Sequence, residues 1–215
     1  MIANTTPVRI RLYSERYEVA ASLFDTVFRQ VNGIQDDISP DTVTPEEEML
    51  MGIFEDADSN GGYFVKPVDP SVMQALRRSE EGTAVQPSGI ERLELFTEGV
   101  MTRTPDVSGE CVSIAYDETE LTGMEGAHSD VVFHTADPGL VSLIRSGSVT
   151  TALTFRSHTR AICVYETPYM PFHVGIHCLT VTNRLDEDGT LTLDYIIEIR
   201  GGCAERCRME MSLLG

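Results

Sequence analysis

Tryptophan is absent from these 215 residues, and lysine occurs once, at Lys66. That lysine sits between Val65 and Pro67 with no apolar run to depress its pKa, so Schiff-base chemistry has no suitable amine. Basic residues are scarce altogether: 16 stand against 34 acidic ones, a formal charge of −18 at pH 7. Such a field repels phosphate backbones and anionic lipid surfaces, because contact there needs Lys or Arg to displace counterions. Neither nucleic acid nor a membrane surface is expected as a partner. No run approaches the roughly 18 apolar residues of a membrane helix, and no basic-plus-apolar signal segment opens the chain. The five cysteines, at 111, 163, 178, 203 and 207, are odd in number and contain no Cys-x-x-Cys pair. Reduced thiols in a cytoplasmic protein are the economical reading. There is no G-x-S-x-G elbow, no P-loop and no G-x-G-x-x-G after a strand, so nucleophilic, nucleotide and dinucleotide chemistry find no recognised motif.

What the chain does have is period-2 alternation. Val8, Ile10 and Leu12 share one side of a first strand and Arg9 and Arg11 the other. The pattern returns at Leu93 and Leu95 and persists through Val112–Tyr116, Val131 and Phe133, Val141 and Leu143, Thr150–Phe155, Ala161–Tyr165 and Phe172–Val181. In the last hairpin Leu191, Leu193, Tyr195, Ile197 and Ile199 share a face, and Asp188-Gly189 supplies the turn. A looser strand, Cys203–Leu214, ends the chain. A sheet of about nine or ten strands in a near-continuous meander is expected to curl and close, which abolishes its edges. Between strands one and two the period changes. Val19, Leu23, Val27 and Val31 recur every fourth residue, Thr44-Pro45-Glu46-Glu47 opens a helix bearing Met49, Leu50, Ile53 and Phe54, and a third helix begins at Asp69-Pro70. This insertion, residues 18–89, holds about half of the excess negative charge and is expected to pack on the barrel.

Several motifs carry a family resemblance. TELTGMEG (119–126), LIRSGSV (143–149), YETPY (165–169) and the terminal LDEDGTLTLDYIIEI pair resemble the YwiB-like proteins of bacteria over residues 7–17 and roughly 90–214. The resemblance implies a soluble intracellular setting and a mainly β fold, a single antiparallel calycin-like (lipocalin-like) β-barrel spanning residues 1–215. It brings no catalytic residue, because the family has no assigned reaction. The long helical insertion departs from the family pattern, in which a short connection joins the first two strands.

The polar residues of these motifs are the candidate ligand-binding set: Glu118 and Glu120 after one strand, Arg145 at the end of another, and Tyr165, Glu166 and Tyr169 around Pro168. A guanidinium grips a carboxylate bidentately, so Arg145 is expected to meet either a ligand carboxylate or Glu166. The plainer alternative is a structural ion pair at the barrel rim. Asp56-Ala57-Asp58-Ser59-Asn60-Gly61 matches half of a calcium loop, but Pro67 stands where the bidentate glutamate belongs, and an acidic loop is expected instead. His173 and His177, four apart in a strand, lie about 13 Å from each other, too far for one ion. No metal, cofactor or catalytic residue is assigned. The leading expectation is a non-enzymatic protein that binds a small, partly apolar or amphipathic ligand in the barrel. The alternatives are an interaction or assembly module using the insertion, and a barrel enzyme with an unrecognised acidic site. A homo-oligomer is compatible with each.

Overall fold

The computed structural model describes residues 3–19, 65–67, 89–199 and 204–214. They form eleven strands: β1 (Asn4–Val19), β2 (Val65–Pro67), β3 (Glu91–Asp106), β4 (Gly109–Asp117), β5 (Ala127–His134), β6 (Asp137–Gly147), β7 (Thr150–Arg156), β8 (Thr159–Glu166), β9 (Phe172–Arg184), β10 (Thr190–Ile199) and β11 (Ala204–Leu214). Ten of them close into an antiparallel ring, β1-β3-β4-β5-β6-β7-β8-β9-β10-β11 and back to β1, while the short β2 adds to β8. Closure depends on β1, which pairs along one edge with β3 from Asn4↔Arg103 to Arg16↔Glu91 and along the other with β11 from Arg9↔Leu214 to Val19↔Ala204.

Alternation decides which side chains enter the ring. On β4 Val112, Ile114 and Tyr116 are buried while their neighbours are more exposed, and on β5 Ala127, Ser129, Val131 and Phe133 follow the same period. Ile10, Leu143, Phe155, Leu191, Leu193 and Met211 are fully buried in the same core. Within this core Phe155 of β7 and Tyr195 of β10 meet with ring centroids 4.8 Å apart. Each apolar side chain moved from water to this core contributes on the order of 1.5–3 kcal/mol.

Two expectations change. A helix was expected from Glu18, yet Glu18 and Val19 remain in β1, because Glu205 and Ala204 of β11 offer them ladder partners. The expected helical segments beyond Val19 lie outside the described residues, as does the half calcium loop at 56–61. Among the described residues the only helix is a 3-10 turn, Glu120–Thr122. Asp188-Gly189 is likewise part of a longer loop. The N–H groups of Glu187, Asp188 and Gly189 all donate to the Arg184 carbonyl at 3.0–3.1 Å, and Leu185 tucks in beneath them, 5% exposed.

Gly99 on β3 is required by a close approach. A Cβ there would stand 2.6 Å from both the Ala115 carbonyl oxygen and Ile10 Cδ1. Gly99→Ala is therefore expected to lower the unfolding free energy by about 1–3 kcal/mol. The control Gly139→Ala, whose new methyl would meet nothing nearer than Asp137 Oδ1 at 3.9 Å, is expected to change little. Urea denaturation of the two variants checks the contrast.

The cysteines give a second prediction. Cys163 and Cys178 are each 1% exposed, and burial pushes their thiols from an ordinary 9.0 up to about 11 and about 12. The fold thus favours the neutral thiol. Its contribution is complete below about pH 9 and is lost as pH rises through these folded values. Iodoacetamide at pH 8 is expected to spare both in the native protein and to label both in urea, read by peptide mass spectrometry.

Candidate functional site

One end of the ring interior is polar. The register sets Tyr116 beside Ser129, Ser129 beside Arg145, Arg145 beside Thr151 and Thr151 beside Tyr165, a row of inward positions running from β4 to β8. Glu118 extends the inward period of β4 past Tyr116 and is held there by its backbone N–H, which donates to the Ala127 carbonyl at 2.9 Å. Its carboxylate Oε1 accepts from Ser129 Oγ at 2.5 Å and from Arg145 Nε at 3.4 Å. Arg145 Nη1 donates to the Tyr165 hydroxyl at 3.2 Å, and that hydroxyl lies 3.9 Å from Met124 Sδ. The side chains of Glu118 and Arg145 are 2% and 12% exposed, so this ion pair is largely removed from water.

The electrostatics follow from that burial. Burial pushes the Tyr116 phenol well above its ordinary value, and the Glu118 charge adds to the effect. Tyr195 is raised in the same way by burial first, with Cys207 beside it. Burial works against the charge on Arg145, but Tyr165, Tyr116 and Glu118 together hold its pKa above that of an ordinary arginine. Both phenols therefore stay protonated donors, and the guanidinium stays charged.

The loops at this end shape a rim. Ser148 after β6 ties to the 118–126 loop, its N–H reaching the Gly126 carbonyl at 3.3 Å and its hydroxyl the Glu125 carbonyl at 2.9 Å. Gly147, at φ +106, passes so close to Gly126 that a Cβ there would stand 2.4 Å from its carbonyl oxygen. In the β8–β9 loop Thr167 Oγ1 donates to the Met170 carbonyl at 2.9 Å, a turn that leaves Tyr169 and Met170 facing out. Leu121, Tyr169 and Met170 are 70%, 95% and 64% exposed, an apolar fringe at the same end as the polar row.

Of the six residues expected to bind a ligand, three converge inside: Glu118, Arg145 and Tyr165. The other three, Glu120, Glu166 and Tyr169, are exposed on the rim. Arg145 pairs with Glu118 and not with Glu166, because Tyr165 points inward and its neighbour in the strand must point out. Sequence reasoning missed Tyr116, Ser129 and Tyr195. Their signal was a polar group at an inward position of an otherwise apolar strand.

A second polar cluster lies on the outward face of β8–β10. His177 Nε2 is 2.7 Å from Glu198 Oε2, and Arg160 Nη2 is 3.8 Å from the same oxygen. Burial lowers the His177 pKa; it would raise that of Glu198, but the hydrogen bond and charge of His177 hold the carboxyl below its usual value. An open groove of about 710 Å³ crosses the outer face elsewhere, between Arg9, Glu98, Val100, Asp117, His128 and Leu214. No helix among the described residues is long and apolar enough to cross a membrane.

A family model described as a domain of unknown function (DUF1934) matches residues 80–211. The crystal structure of the ywiB protein from Bacillus subtilis is similar, with a TM-score of 0.50 and 13% identity over 98% of this chain and 94% of that one. At that identity the likeness concerns the fold alone. No curated protein matches the chain.

Removing one partner of the buried ion pair leaves the other uncompensated. Arg145→Met is expected to cost about 3–5 kcal/mol of stability, and adding Glu118→Gln to that variant is expected to restore a large part of it. A double-mutant cycle in urea measures both; additive losses would contradict the pairing.

Proposed function

The chain belongs to the DUF1934 family, and we propose that its barrel is a non-enzymatic binding module for a small, partly apolar ligand held at the polar end of the ring. One observation carries the reading: the buried row around Arg145 and the exposed apolar side chains of Leu121, Tyr169 and Met170 occur at the same end. A polar head set among Arg145, Tyr165 and Glu118 would leave an apolar body against that fringe. Pockets of this kind place a few convergent polar groups beside apolar walls. The packed contact between Phe155 and Tyr195 favours a ligand seated at the mouth over one filling the whole interior. Glu120 and Glu166, on the rim, would contact it from outside.

We read the closed up-and-down meander as calycin-like. The free thiols of Cys111, Cys163, Cys178 and Cys207 support a reducing, cytoplasmic setting.

Native mass spectrometry of protein purified under gentle conditions tests the reading. A small-molecule adduct is expected on the native chain, lost on organic extraction and weakened in Tyr169→Ala and Met170→Ala, which leave the core intact. A bare chain mass, with the same melting temperature before and after extraction, would count against ligand binding.

A further inference from the structure

Hydrogen-bond donors are left over in the polar row, and they select a ligand. A guanidinium carries five N–H donors. Among the described residues Arg145 donates from Nε to Glu118 and from Nη1 to Tyr165, so three of the five make no hydrogen bond. Glu118 Oε1 accepts from both Ser129 and Arg145. The donors left over in the pair are therefore those of the Arg145 guanidinium. Arg145 is also the more accessible partner, at 12% exposure against 2%.

From this geometry we infer that the ligand head is a monoanion, a carboxylate on a short apolar chain, received by the remaining N–H groups of Arg145. This deepens the binding-module reading and rests on it. A guanidinium offers a carboxylate two parallel N–H bonds, which a neutral hydroxyl cannot use. Charge sets the upper limit. Glu118 already balances Arg145 within the row, so a carboxylate leaves one net negative charge there and a phosphate monoester dianion leaves two. The chain as a whole carries −18 at pH 7, which disfavours the dianion further. A cationic head would meet the guanidinium directly and is excluded by repulsion.

The test compares three probes of equal chain length, octanoate, 1-octanol and monooctyl phosphate, titrated by calorimetry into delipidated full-length protein at pH 7.5. Because tryptophan is absent, tyrosine emission gives an independent signal of binding near Tyr116, Tyr165 and Tyr195. Octanoate is expected to bind roughly tenfold or more tightly than octanol, the worth of one charge-assisted contact, and more tightly than the phosphate. The preference is expected to fall in Arg145→Lys, which keeps the charge and removes the planar fork. Should that variant fail to fold, the ranking on the native chain still decides. Equal binding of octanoate and octanol would overturn the monoanion and leave the binding module standing. Tighter phosphate binding would also overturn it. If none of the three binds, the binding module itself fails.

Discussion

The two edges of β1 hold the ring together. One edge is laid along β3 and the other along β11, so β1 joins β3 to β11. Pairing on both edges satisfies the backbone N–H and C=O groups that a terminal strand would otherwise present to other chains. It also fixes which side chains face in, since a one-residue slip would turn Ile10 and Leu12 out and Arg9 and Arg11 inward. On the outside, Arg11 with Glu94 and Glu15 with Arg92 bridge β1 to β3, a charged seam that penalises such a slip.

A closed ring makes its interior demanding. Apolar residues there gain from burial, but every polar one must find a partner. The row from Tyr116 to Tyr165 meets that demand in part through mutual contacts: the serine serves the carboxylate, the carboxylate serves the guanidinium, and the guanidinium serves a tyrosine and keeps N–H groups to spare. A buried ion pair of this kind adds little net stability over an apolar filling of the same volume. That such a group sits at one end, and not mid-core where Phe155 packs on Tyr195, is the physical reason to look for function there.

The strand content was legible because alternation is a local property. Val8, Ile10 and Leu12, or Leu191 and Leu193, announce their inward face within a few residues. The site was legible in part. Arg145, Tyr165 and Glu118 stood out as polar residues at strand ends, but Glu166 was grouped with them through nearness in sequence, although adjacent residues of a strand face opposite ways. Ser129 and Tyr195 show in a single strand only as polar groups at inward positions; that they join the row or its surroundings follows from register, which depends on pairing between distant segments. The buried outward His177 was less legible still, because outward positions are ordinarily solvated. The extension of β1 through Val19 was hidden by a fourfold period that begins at that residue, and the partner that overrides it, Ala204, lies at the other end of the sequence.

Ring closure at β1 is tested most directly by cross-strand nuclear Overhauser contacts in solution. The register calls for Leu12 to contact Leu95 on one side and Met211 on the other in the same molecule. Both sets of contacts are expected, with matching protection of the β1 amides from exchange. Contacts to Leu95 without those to Met211 would describe a sheet open at β1, and the enclosed polar row would have no enclosure.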